Sequence, residues 1–310
     1  MSAFSLFGKG SETPTLQLYG KLPIAKDYLR IGCGDGAALA MRDLLDGTFG
    51  TTRKGEDEFV LHETLRFIIG GKEPLQGTIW ASSDAGGHRR FPFMLCVDRR
   101  AKKFAHDFEH GLVQAEGVWR SLAEIFGDNQ DCGDGQELLQ RQRGRTLELE
   151  PEGVSGVAGT DFAAWVSALW PSEGMAGLHS LLSRLREQSG TKSSLFRLPL
   201  VRELPLRDQV VGWTSMLESL GLIPGGVLPT IFFPTSALLP SSEVASLVVT
   251  TGMPSAETVR WLTAEYGPER LGEGDYCAGL ESPESEVVSS ADEPPPLRVS
   301  LAEVLRGGRG

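Results

Sequence analysis

Ser82, Ser83, Asp84 and His88 fall within seven consecutive residues, and a hydroxyl, an imidazole and a carboxylate are the parts of a nucleophilic hydrolase. The spacing works against that chemistry: all four lie on one glycine-containing stretch, with no Gly-x-Ser-x-Gly elbow and no base supplied from elsewhere in the chain. Leu29 to Gly36, with glycines at 32, 34 and 36, has the form of the loop on which an S-adenosylmethionine-dependent methyltransferase holds its cofactor. Such a loop follows a buried parallel strand, and a carboxylate after the next strand holds the ribose hydroxyls. Here the preceding Lys26-Asp27-Tyr28-Leu29-Arg30 is too polar for a central strand, and Asp43 and Asp46 fall inside a predicted helix. The Gly32–Gly36 loop is therefore read mainly as a lead into that helix, with the methyltransferase as the enzymatic alternative. Gly8-Lys9-Gly10-Ser11 lacks the first glycine of a phosphate loop, because position 3 is alanine. His106 and His110 share a helix face but have no identifiable third metal ligand. No catalytic, cofactor-binding or metal-ligating set is predicted.

Two other stretches carry reactive side chains at close spacing. One is Tyr19-Gly20-Lys21-Leu22-Pro23, followed by Asp27-Tyr28; the other is Ser82-Ser83-Asp84, then Gly86-Gly87-His88-Arg89-Arg90 and Phe91-Pro92-Phe93. Singly, the first reads as a strand end turning at Gly and Pro. In the second, an Asp and an Arg on one loop can pair with each other or with backbone amides. As a pair, in this order, they resemble the TagF/ImpM family of type VI secretion accessory proteins, whose pattern runs roughly Y-G-K-L-P, G-D-F, then S-x-D-x-x-G-R-x-F-P. This chain has one additional residue between Asp84 and Phe91, so either Arg89 or Arg90 corresponds to the family's arginine, and Lys26 stands where the family has a glycine.

The resemblance implies a cytoplasmic, non-enzymatic regulator of type VI secretion that needs no cofactor. It would act after translation, as a negative regulator binding a forkhead-associated-domain scaffold. It also implies that Tyr19, Lys21, Pro23, Asp27, Ser83, Asp84, Arg89, Arg90, Phe91 and Pro92 form the motif surface, with Lys21 and Asp27 in a polar network beside Ser83 and Asp84. A purely structural adaptor, needing neither Asp84 nor Arg89 for binding, is the other non-enzymatic reading.

These residues must be positioned by a mixture of strands and helices. Leu16–Tyr19 alternates as a strand and breaks at Gly20. A helix is predicted from Asp35 to Gly47, and a second over Glu56–Ile69 on the spacing of Phe59, Val60, Leu65 and Ile68. Gly77–Ala81 and Phe91–Val97 read as two strands of a long hairpin, followed by an amphipathic helix over Lys103–Phe126. Residues 127–159, dense in Gly, Asp, Gln and Arg, read as a mobile insertion. Helices over Asp161–Trp170, Gly177–Glu187 and Leu206–Leu220 and strands at Phe196–Leu200, Thr230–Phe233 and Ala245–Thr250 complete the pattern, with a last helix carrying Val259, Leu262 and Tyr266. Strands spaced by helices predict an α/β three-layer sandwich, a mixed sheet flanked by helices. The domain is placed at 15–270, after a leader at 1–14.

Composition sets outer limits. The chain has 310 residues, 40% of them hydrophobic and 23% charged, enough for a substantial core. Met1–Phe7 lacks the basic start and long apolar run of a signal peptide, and no stretch approaches the roughly 20 apolar residues of a spanning helix. A cytoplasmic protein without direct membrane insertion is expected. Cys33, Cys96, Cys132 and Cys277 are scattered and read as reduced thiols. The net charge of −11 argues against nucleic acid as a partner, whereas Arg89, Arg90, Arg99, Arg100, Lys102 and Lys103 form a basic cluster suited to an acidic protein or to the chain's own acidic segment. That segment, within a Ser/Pro-rich linker at 271–299 of disordered composition, carries Glu281, Glu284, Glu286, Asp292 and Glu293 with no Lys or Arg up to Leu297. A short helix at 300–306 follows, with Ser300 and Glu303 as a capping box. Leu297, Leu301, Val304 and Leu305 share one of its faces and are the expected docking residues.

Overall fold

The computed structural model describes residues 13–50, 61, 64–99, 108–147, 162–188, 195–201, 204, 206–224, 228–234, 245–255 and 258. Eight strands, β1 Leu16–Gly20, β2 Leu29–Ile31, β3 Leu65–Ile69, β4 Leu75–Trp80, β5 Phe93–Asp98, β6 Leu195–Leu200, β7 Thr230–Pro234 and β8 Ala245–Thr250, form one sheet in the order β2-β1-β5-β4-β3-β7-β8-β6. Every pairing in it is antiparallel, which corrects the expected mixed sheet. Sequential strands fold back as hairpins (β3 on β4, β4 on β5), and that connection requires antiparallel neighbours.

Apolar side chains fill both faces of this sheet. Along β5, Phe93, Leu95 and Val97 enter one hydrophobic cluster while Met94 and Cys96 enter another. The same alternation divides Ile231 and Phe233 from Phe232, and Leu247 and Val249 from Val248. Side chains of a strand alternate in direction, so an unbroken apolar run means burial on both sides. This is also why Leu65–Ile69, predicted to end a helix, is a strand. Its Leu-Arg-Phe-Ile-Ile run places Phe67 and Ile69 in one cluster and Ile68 in the other. Of the rest of that predicted helix, Leu61 and Thr64 are not helical, and residues 56–60, 62 and 63 lie outside the described residues.

One cluster is capped by α1 Gly36–Phe49, whose Ala38, Met41, Leu45 and Phe49 recur at helical spacing and are buried. The other cluster receives α2 Phe108–Gln130, α3 Gly135–Gln142, α4 Phe162–Leu169, α5 Met175–Gln188 and α6 Leu206–Ser219. Two of its tryptophans also satisfy their N–H groups: Trp119 Nε1 donates to the Gly77 carbonyl at 3.0 Å, and Trp213 Nε1 to the Pro199 carbonyl at 2.8 Å. The stretch predicted as a mobile insertion contains the end of α2 and all of α3, up to residue 147. Asp134 caps α3 by accepting from the N–H groups of Gln136 and Glu137, and Leu138 is buried. Residues 145–147 then run beside β1, where the Leu16 N–H donates to the Arg145 carbonyl at 2.8 Å. Residues 148–159, the leader to residue 12, and the linker, terminal helix and docking residues Leu297, Leu301, Val304 and Leu305 lie outside the described residues.

Candidate functional site

At the end of β1 the chain turns at Gly20, whose φ of +135° suits glycine and whose Cα faces the Pro92 carbonyl so closely that a Cβ would collide with it. The turn turns Lys21 inward. Its side chain is 1% exposed, and Nζ lies 3.7 Å from Asp84 Oδ2 and 4.7 Å from the centre of the Tyr28 ring. Asp84 sits on the loop that joins β4 to β5. Its Oδ1 accepts from the backbone N–H groups of His88 at 3.0 Å and Arg89 at 3.4 Å, so one carboxylate fixes the loop and answers the buried ammonium. Burial pushes the Asp84 carboxyl up, but the Arg89 and His88 N–H groups, Lys21 and the Gly86 N–H hold it below the ordinary carboxylate value. The Ala85 N–H donates to the Ala25 carbonyl at 3.0 Å, tying this loop to the one after β1.

The two sequence motifs thus meet through Lys21 and the backbone amides, and without Asp27 or the arginines. Asp84 pairs with Lys21 and with backbone N–H groups, while the Arg89 and Arg90 side chains are exposed and form no ion pair among the described residues. Asp27 is also exposed and stands outside the network, as does Pro23. Ser83 Oγ donates to the Asp84 carbonyl at 3.3 Å, and no serine hydroxyl reaches His88 among the described residues. Arg99, grouped by sequence with the basic cluster, is buried and bonds Gln76 Oε1 at 2.7 Å; Arg100, Lys102 and Lys103 lie outside the described residues.

Aromatic rings surround the ion pair. Tyr28 stacks on Tyr19 with ring centres 5.5 Å apart and meets the edge of Phe91 at 4.8 Å. Tyr19 donates to Asp46 Oδ1 of α1 at 2.5 Å; burial and then that bond raise its phenol above the ordinary value. Burial and the nearby Asp46 charge raise Tyr28 as well, yet Tyr28 is 41% exposed. Sequence reasoning quoted Tyr28 and did not place it in the site; its signal is an aromatic directly after the Asp27 of the first motif. Beside this group lies a pocket of about 230 Å³, floored by Phe49, Leu61, Phe91 and Pro92 and rimmed by Ser82, Ser83 and Arg90. No local pattern marks it, because Phe49 and Leu61 come from remote parts of the sequence.

The Gly32–Gly36 loop follows a three-residue strand, β2, at the edge of the sheet and antiparallel to β1. A cofactor loop of the methyltransferase kind follows a parallel strand. Cys33 sits here at φ 53°, a conformation that costs a non-glycine residue about 1–3 kcal/mol. Gln17 holds it, accepting the Cys33 N–H at 2.7 Å while donating to Asp98 at 2.7 Å. The Cys33 thiol beside Cys96, then burial, pushes the Cys96 thiol well up. Among the described residues no group of three metal-ligating side chains assembles, and no helix is long and apolar enough to cross a membrane.

No protein-family model matches this chain, and no curated protein matches it. Among solved structures it is similar to the crystal structure of PA0076 from Pseudomonas aeruginosa PAO1, with 14% identity over 82% of this chain and 96% of that one and a TM-score of 0.39.

Proposed function

We propose that this chain is a non-enzymatic accessory protein of type VI secretion, a cytoplasmic negative regulator that acts after translation by binding a forkhead-associated-domain scaffold. In this reading the fold is a three-layer α/β sandwich of the TagF/ImpM kind, followed by an acidic linker. The observation that carries it is the meeting of the two motifs. About sixty residues apart in sequence, they are joined by the Lys21–Asp84 ion pair and the Ala85–Ala25 hydrogen bond, under an exposed Tyr28 that has the Arg89 charge close by. A loop displaying an aromatic ring and two exposed guanidinium groups has the make-up of a protein-binding surface, where Tyr and Arg carry most of the contact energy. Regulation would follow from occupancy alone, the scaffold being withheld while bound.

The division of labour within the motif decides the test. Lys21 and Asp84 are interior, so their substitution confounds folding with binding, whereas Tyr28, Arg89 and Arg90 are exposed. Calorimetric titration of the full chain against the purified scaffold should show Tyr28→Ala and the paired Arg89→Ala, Arg90→Ala binding at least about tenfold more weakly than wild type. The arginine pair should keep the wild-type thermal midpoint, whereas Tyr28→Ala should lower it, because its ring stacks on Tyr19 and lies over the Lys21 ammonium. Wild-type affinity in every variant would move the contact elsewhere and favour the structural adaptor. Absence of scaffold binding by the wild type would overturn the proposal.

A further inference from the structure

The pocket beside Phe91 is apolar at its base and basic at its rim, and it lies next to the loop that holds Arg89 and Arg90. At about 230 Å³ it exceeds the 150 Å³ cavity that accepts benzene, so a large aliphatic or aromatic side chain fits. Asp84, the acid closest to these arginines on the loop, is already paired with Lys21, which leaves both guanidinium groups without an ion-pair partner among the described residues. The same chain carries a complementary segment. Glu281 to Leu297 holds five carboxylates without a Lys or Arg, and Leu297, Leu301, Val304 and Leu305 follow.

We propose that this segment docks in cis, an apolar side chain of Leu297–Leu305 entering the Phe49/Leu61/Phe91/Pro92 pocket while the preceding carboxylates face Arg89 and Arg90. The reach is sufficient. β8 stands three strands from β4, and its last residue, Thr250, lies at the sheet end opposite the pocket, so roughly 22 Å separates them. Leu297 follows Thr250 by 47 residues, and the 26 residues of the predicted linker before it, 271–296, alone span about 28 Å as a random coil. Tethering also lowers the affinity required. At an effective concentration of about 1 mM, a contact with a Kd of about 0.1 mM is about nine-tenths occupied. The occupied state covers Arg90 and the pocket mouth, so anything else that uses this face must displace the segment. The docking is a property of this chain and holds whatever its external partner.

The test is amide hydrogen exchange on the full chain, comparing wild type with Leu301→Asp/Leu305→Asp and with Arg89→Glu/Arg90→Glu. Nine-tenths occupancy predicts that the leucine variant exchanges residues 82–91 up to about tenfold faster, and that the arginine variant reciprocally speeds exchange of 297–305. Both effects should be unchanged by tenfold dilution and should shrink in 1 M salt. The arginines are exposed and the leucines lie outside the described domain, and unchanged thermal midpoints check that the fold is kept. Exchange of 82–91 that is identical in all three proteins would overturn the proposal. So would protection lost on dilution, which would assign the pocket to a second copy of the chain.

Discussion

Lys21 and Asp84 show how one buried charge organises two loops. An ammonium that is 1% exposed is tolerated only with a partner, and removing one member of such a pair leaves the other uncompensated. Lys21→Met and Asp84→Asn are therefore each expected to lower the thermal midpoint, while the double variant lowers it by less than their sum, a coupling that a double-mutant cycle measures. The pH dependence has a definite sign. Asp84 titrates below its unfolded value of about 3.9, so its contribution is present above that value and lost as pH falls through the lower folded value. The stability gap between wild type and Asp84→Asn should hold from about pH 5 to 7 and close below about pH 4. Asp98 has the opposite sign: burial, then Asp35 and Glu73, raise it, so its ionised form opposes folding at neutral pH. Because Asp98 is exposed at the end of β5 and solvent screens the penalty, Asp98→Asn should stabilise the protein only slightly in urea titrations at pH 7, with the gain fading as pH falls through the raised folded value and gone below about pH 4. Cys33 and Cys96, both buried, should resist alkylation in a Cys132→Ser/Cys277→Ser background until the protein unfolds; rapid native labelling would mean that β1 and β5 open locally.

Elements that sequence reasoning located carry their own punctuation. α1 follows Asp35 and has four buried apolar residues on one face, and α6 stops where Gly221 follows it. The misread elements are those whose pattern serves two structures. In Leu65–Ile69 the apolar residues at 65 and 68 fit a helical face, yet a strand buried on both sides has the same run; sheet pairing with β4 and β7 resolved it. α3 was hidden by composition, because this helix of eight residues buries only Leu138 and the polar Gln142. It depends instead on its cap. Asp134 accepts two N–H groups, and Glu137 accepts the Gly133 N–H at 2.8 Å. Asp134→Ala should cost about 1 kcal/mol in denaturant titration. A loss near zero would mean that packing alone holds α3.

The whole molecule is one sheet whose strands feed two apolar clusters, so neither face can melt without removing the support of the other. Trp80, Trp119, Trp165 and Trp213 all report on the α2–α6 side, whereas a tryptophan at Phe49 would report on the α1 side. Unfolding of Phe49→Trp, followed in a background where the six native tryptophans are replaced by Phe, should coincide with the far-ultraviolet dichroism transition. Separate midpoints would mean that the faces are independent units. Sequence by itself determined the alternation of strands and helices, the absence of a clustered metal or disulfide pattern, the acidic segment, and the two motifs with their polar residues, because each is written in local spacing and composition. Tertiary structure alone decided the antiparallel order, the choice of Lys21 over Arg89 as the partner of Asp84, and the pocket between Phe49, Leu61, Phe91 and Pro92. These depend on contacts between residues far apart in the chain, and local spacing carries no record of which distant residue will fill a shared space.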